Sequence, residues 1–273
     1  MATTTSSNDV RRMTAAPQRP QRSVRESVSP EEWEQRVELA ACYRLIEHFQ
    51  MSDLVYTHIS ARVPDTKDQF LINAYGLLFG EVTASNLAKV DASGAVLRDD
   101  TGFGINTAGY LIHSAIHSAR HDIDCVMHIH TAAGMGVSCH PHGLLPITQH
   151  ALVFHGRVGY HEYEGISFRP DERARLIASL GQKNNVMILR NHGLISCGRT
   201  VPEAFLLMFI LERACQAQVA ALAGGRKPNY PSEDAMRVTA DLNDPATLPP
   251  RRDEHAWNAC LRLLDRIDPS YRD

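Results

Sequence analysis

The feature that most constrains this chain is Met127-His128-Ile129-His130, set inside the β-prone run from Cys125 to Thr131. Residues i and i+2 of a strand share a face. His128 and His130 therefore stand side by side, and the fold must place that strand where two imidazoles meet a third group. Imidazole is the commonest side-chain ligand for zinc, iron, copper or nickel. The best third candidate is His192, in Val186-Met187-Ile188-Leu189-Arg190-Asn191-His192-Gly193. There an apolar run ends at a His-Gly turn that can aim a side chain back over a sheet. Taken alone, an H-x-H is equally a pair of hydrogen-bonded core histidines, because so short a pattern recurs by chance.

The rest of the composition narrows the field. A chain of 273 residues can bury a core as one large domain or two small ones. A net charge of −3 gives no electrostatic case for nucleic acid or an anionic membrane. No apolar run approaches the roughly 18 residues needed to span a bilayer. Cys42, Cys125, Cys139, Cys197, Cys215 and Cys260 form no C-x-x-C pair and sit mostly among apolar neighbours. That suits reduced thiols in a cytoplasmic protein better than disulfides or a thiolate zinc site. Residues 1–28 are rich in Ser, Thr, Pro and Arg, with Asp9 and Glu26 the only acids. They have no apolar signal core and no clear amphipathic period, so they read as a disordered tail.

Beyond residue 28 the pattern becomes structural. Ser29-Pro30-Glu31-Glu32 predicts a capping box with proline in the first turn of a helix reaching about Phe49. Strands are predicted over Val55–Val63 and Phe70–Asn73, a short helical turn over Thr83–Leu87, and a hairpin around Ser93-Gly94. Tyr110–Arg120 reads as a helix with His113 and His117 on one face. Ala151–Gly159 and the run at Val186 read as further sheet. Thr200-Val201-Pro202-Glu203 predicts a second capping box, opening a helix to about Leu222 that is apolar almost all round and so expected to be buried. A proline-rich stretch then leads to an amphipathic helix carrying Trp257, Leu261, Leu264 and Ile267. The ordering predicts an α/β chain with helices on the faces of a central sheet.

Several segments in register resemble one family. Asn73-Ala74-Tyr75-Gly76-Leu77-Leu78-Phe79 with Thr83–Leu87, Ile112–His117 with His128-Ile129-His130, and Arg190–Ile195 together resemble the class II aldolase/adducin superfamily, and in particular the fuculose-phosphate aldolase-like domain. The resemblance implies a three-layer α/β/α sandwich around a mainly antiparallel central sheet. It would occupy residues 29–225, with 226–273 a C-terminal extension. It implies a divalent metal, zinc first and iron, manganese, cobalt or nickel next, held by His128, His130 and His192. It also implies a homo-tetramer with active sites at subunit interfaces and a small-molecule substrate.

The chain departs from that pattern where the chemistry lies. The aldolases of the family carry a glutamate, fourth ligand and acid/base, at the position matching Gly109. Their phosphate-binding Gly-Asn and Ser-Ser pairs match Thr57-His58 and Thr107-Ala108. A phosphorylated substrate is therefore not expected. His58, Tyr75 and His113 become the candidate catalytic residues, with His117 and Glu162 as further possible proton carriers. Three readings follow. The first is a lyase acting on a small non-phosphorylated hydroxy-carbonyl compound. The second is a non-haem iron oxygenase of aromatic acids in secondary metabolism. The third is a non-catalytic interaction protein like the adducin heads, which share the fold and lack the glutamate.

Overall fold

The computed structural model describes residues 23–165, 171–249 and 254–273, so most of the expected N-terminal tail lies outside the described residues. Among the described residues, eight strands form one sheet: β1 His58–Arg62, β2 Gln69–Asn73, β3 Leu87–Asp91, β4 Val96–Arg98, β5 Cys125–Ile129, β6 Val158–His161, β7 Val186–Leu189 and β8 Gly193–Gly198. Their order is β4-β3-β2-β1-β5-β8-β7-β6. Every pairing is antiparallel except β6 with β7. The mainly antiparallel α/β/α sandwich expected from the sequence is the fold observed.

Strand alternation divides the sheet into two faces. Ile59, Ala61, Cys125, Met127, Ile129 and Leu194 point to one side. They pack there on the helices Pro30–His48, Val201–Leu222 and Glu254–Ile267. Val126, Met187, Leu189, Ile195 and Cys197 point to the other, against the helices Thr107–Ala119 and Glu172–Leu180. His58, Ser60 and His128 are in phase with Val126 and share this second face.

Several local expectations change in detail. Ser29 and Thr200 do cap their helices, accepting from Glu32 N and Glu203 N. Neither capping box closes. Glu32 turns inward to Arg36 (3.0 Å) and Lys89 (2.8 Å). Glu203 accepts from the backbone N–H of Arg199 and pairs with its guanidinium. The helical turn near residue 83 forms earlier, at Phe79–Glu81, and Leu87 already begins β3. Of the sheet expected over Ala151–Gly159, only Val158 onward is strand. Thr148 caps a helical turn at Gln149–Leu152 that buries Ala151 and Leu152.

The Val201–Leu222 helix is long and apolar enough to cross a membrane, with mean hydropathy 1.4, so length and composition alone would admit a span. It serves here as the core helix. Phe205, Met208, Leu211 and Cys215 are buried while Val219 is exposed, so one side is in the core rather than the whole circumference. A helix at Glu233–Leu242, capped by Ser232, was not predicted. Residues 271–273 fold back on the loop before β3: Ala84 N donates to Tyr271 O and Ser85 N to Asp273 O.

Candidate metal centre

His128 is the penultimate residue of β5, and His130 follows the strand by one residue. The tight turn from β7 to β8 presents His192, after Asn191 at φ +56°. A β-carbon on Gly193 would sit 2.5 Å from Ile129 O and 2.9 Å from His130 Cδ2. Only glycine lets the turn close onto β5 there. The result is convergence: His130 Nε2 lies 2.8 Å from His128 Nε2 and 3.0 Å from His192 Nε2. Among the described residues these three form the one group of histidines, cysteines and acids placed to hold an ion.

The far nitrogens decide what those contacts can be. His128 Nδ1 lies 3.0 Å from Leu194 O, and a carbonyl only accepts, so Nδ1 carries the proton. His130 Nδ1 lies 3.0 Å from the Asp53 carboxylate and donates likewise. In neutral rings both Nε2 atoms are then bare lone pairs facing each other. Burial, reinforced by His130 and His192, holds His128 well below the usual imidazole range. Burial and His130 bring His192 down to about 4. A positive charge at the centre resolves the conflict, whether a proton on His130 Nε2 shared with both neighbours or a cation using all three lone pairs. Orientation of each ligand through its other nitrogen is also how metal-binding histidines are commonly held.

Beside this cluster runs a second, fully buried set. His58 stands directly across from His128 in the β1–β5 ladder, with ring centroids 5.4 Å apart. His58 Nδ1 is 2.6 Å from His113 Nε2, His113 Nδ1 is 2.6 Å from Ser60 Oγ, and Ser60 Oγ is 2.8 Å from His117 Nε2. His117 Nδ1 ends the chain without a partner. Each neutral ring has one N–H, so a continuous run of donors can point either way along the relay. Running from His58 toward His117 leaves a ring N–H at His117 Nδ1, and running in reverse leaves one at His58 Nε2, facing Gly109. In either direction the relay is continuous, with His58 Nε2 at one end and His117 Nδ1 at the other. Desolvation keeps these rings neutral, His58 and His113 far below their ordinary range and His117 at about 3.

The two departures noted in the sequence are one event in space. A β-carbon built on Gly109, in the first turn of Thr107–Ala119, falls on top of His58 Nε2. The ring of His58 thus fills the volume into which a side chain at 109 would project. Tyr75 is 40 % exposed on the loop after β2, with its backbone N–H donating to Gly104 O. None of its described contacts joins it to the histidines. Glu162 stands in solvent near Arg190, while its neighbour Tyr163 places its ring 6.3 Å from that of His192. Asp53, Ser60 and Tyr163 were not singled out in the sequence. Ser60 had a signal, lying two residues beyond His58 on the same strand face. Asp53 had none, since it reaches His130 across a loop.

The comparisons with known proteins agree with this picture. The model of the class II aldolase and adducin N-terminal domain matches residues 37–219. The chain belongs to this family. A crystal structure of an aldolase II superfamily protein from Pseudomonas syringae is 50 % identical, with TM-score 0.87, covering 92 % of this chain and 99 % of that one. An L-fuculose 1-phosphate aldolase from Glaciozyma antarctica is 26 % identical, with TM-score 0.76, covering 94 % and 97 %. Alpha-adducin of Rattus norvegicus is 43 % identical over 243 residues, which are 85 % of this chain and 33 % of that protein. The family therefore spans both readings, enzyme and adducin.

Proposed function

We propose that this chain is a metal-dependent class II aldolase-type lyase acting on a small non-phosphorylated hydroxy-carbonyl compound, with His128, His130 and His192 as the ligands of a divalent metal. The observation that carries the reading is the meeting of Nε2 atoms at 2.8 and 3.0 Å, with the rings of His128 and His130 fixed in that orientation from behind. Neutral imidazoles with no thiolate suit zinc, with iron, manganese, cobalt and nickel as alternatives. A divalent ion there supplies Lewis acidity toward a carbonyl oxygen.

The chain's own residues supply the rest. His58 presents Nε2 beside the cluster, in the volume a side chain at 109 would otherwise occupy. His113, Ser60 and His117 form the relay behind it, and reversing their hydrogen bonds switches a ring N–H between His58 Nε2 and His117 Nδ1. His58 and His113 are accordingly the acid/base machinery of the proposal. The exposed ring of Tyr75 is offered to substrate rather than to proton transfer. His58 also replaces small residues with a ring, which supports a substrate without phosphate. In the same reading the protein assembles as a homo-tetramer with sites at subunit interfaces. Its buried free cysteines suit a reducing cytoplasm.

Similarity to alpha-adducin and the absence of a carboxylate at Gly109 favour a second reading, a non-catalytic interaction domain. Elemental analysis of untagged protein purified anaerobically, beside His128→Ala, separates the two. About one zinc per chain, lost in the variant, supports the lyase. Iron in its place moves the assignment to an oxygenase, tested by oxygen uptake on aromatic acids. Metal in neither protein overturns the catalytic reading and leaves the interaction domain.

A further inference from the structure

His130 has a weaker claim to its position than its two partners. It lies one residue beyond the last ladder pair, Ile129 with Leu194, yet its Nε2 is the atom nearest both other rings. The next residue supplies an anchor. Thr131 caps the helix Ala132–Ser138, its hydroxyl accepting from Gly134 N at 3.1 Å and its carbonyl from Met135 N at 2.8 Å. The same hydroxyl donates to the carboxylate of Glu212, on the helix behind the sheet. Glu212 is 2 % exposed, and its other oxygen accepts from Gln216 Nε2 at 2.9 Å. Burying a carboxylate against a hydroxyl and an amide is costly, and a leucine would fill that core position more cheaply. Packing at the cap is also tight: a β-carbon on Gly134 would sit 2.7 Å from both Leu194 Cδ1 and Thr131 Oγ1.

We propose that Glu212 is a positioning residue for the centre, tying the backbone at His130 to the core helix through Thr131; the metal readout of this proposal rests on the three-histidine site binding metal. The test is zinc affinity by chelator competition for Glu212→Leu, Glu212→Gln and Thr131→Val, with metal-free crystal structures of the same proteins. Leucine and valine variants should bind zinc about 10- to 100-fold more weakly, as expected for a group one step removed from the metal, and Glu212→Gln, which keeps an acceptor for Thr131, should stay within about threefold. In the metal-free variants His130 Nε2 should withdraw from His128 Nε2. Wild-type zinc affinity in Glu212→Leu and Thr131→Val, with only the unfolding temperature lowered, would overturn the proposal. Should the unaltered protein bind no zinc, the metal reading falls, and the metal-free structures alone decide: a displaced His130 upholds the anchor and an unmoved one ends it. If Glu212→Leu does not fold, Thr131→Val carries both measurements.

Discussion

Two sets of three histidines lie within one ring's distance of each other on the same sheet face, and they use their nitrogens in opposite ways. In His58, His113 and His117 the nitrogens pair with one another or with Ser60, so the set is nearly closed on itself. In His128 and His130 the Nδ1 atoms pair with Leu194 O and Asp53, and the Nε2 atoms are turned inward on His192. Burial holds His58, His113 and His117 in one set, and His128 and His192 in the other, below the usual imidazole range. What separates a closed relay from a cluster of converging nitrogens is therefore where the protein places acceptors. A carbonyl or carboxylate behind a ring frees the opposite nitrogen, while another imidazole consumes it.

The sharpest test of that contrast is metal binding after removal of one ring from each set. His192→Ala should lose at least about a hundredfold in zinc affinity, beyond the loss usual for groups one step removed from a metal. His113→Ala should change it by much less. Equal losses in chelator-competition titrations would erase the distinction between the sets.

The interlock of His58 with Gly109 comes next. Gly109→Ala puts a methyl group where His58 Nε2 stands, forcing the ring off the relay. Overpacking together with a broken buried network should destabilise the fold by about 3 kcal/mol in urea unfolding. In a His58→Ala background the same methyl group meets open space, so its cost should nearly vanish. A double-mutant cycle reads that coupling directly, and additive effects would show that the two positions are independent.

Acid should act on the relay with a definite sign. The folded-state value of His117 is about 3, pushed down by burial first and by Arg62 second. An unfolded histidine titrates near 6.5, so between roughly 6.5 and 3 the unfolded chain binds the extra proton. The contribution of neutral His117 is complete above pH 6.5 and is lost as pH falls through that window. His117→Gln keeps a hydrogen-bonding group for Ser60 and removes the titration. Between pH 7 and 4.5 the unaltered protein should lose about 2 kcal/mol more stability than this variant. Parallel curves would mean that His117 is already charged in the fold.

These contrasts also show which parts of the molecule can be read without a structure. His128, His130 and His192 were legible because strand alternation and a His-Gly turn are local geometry. Their supports were not. Asp53 meets His130 from 77 residues away, and Glu212 meets Thr131 from 81. The capping boxes failed for a related reason: Glu32 fits the local motif, but Lys89 and Arg36 offer its carboxylate charged partners that a backbone N–H does not match. The expected burial of Val201–Leu222 came from its composition, whereas the sheet covers only one side of it. The relay lay between these cases. His113 and His117 were visible as a helix pair, but Ser60 gained its role only once β1 was set beneath that helix.

Asp53 provides the mildest perturbation and hence the finest probe of the acceptor rule. It is 42 % side-chain exposed and sits in a loop with Leu54 at φ +46°, a left-handed backbone that leucine seldom adopts. Strain of that kind persists where the surroundings over-determine it. Here the turn carries the carboxylate to His130 Nδ1 at 3.0 Å. Asp53→Asn keeps the size and an acceptor oxygen but removes the charge. Zinc affinity should fall about tenfold, the low end for a residue that orients a ligand, with little change in unfolding free energy because the carboxylate is partly in water. Asp53→Ala should fall further. If both variants bind zinc as the unaltered protein does, the acceptor behind His130 is dispensable, and placement of the ring rests on its backbone anchor alone.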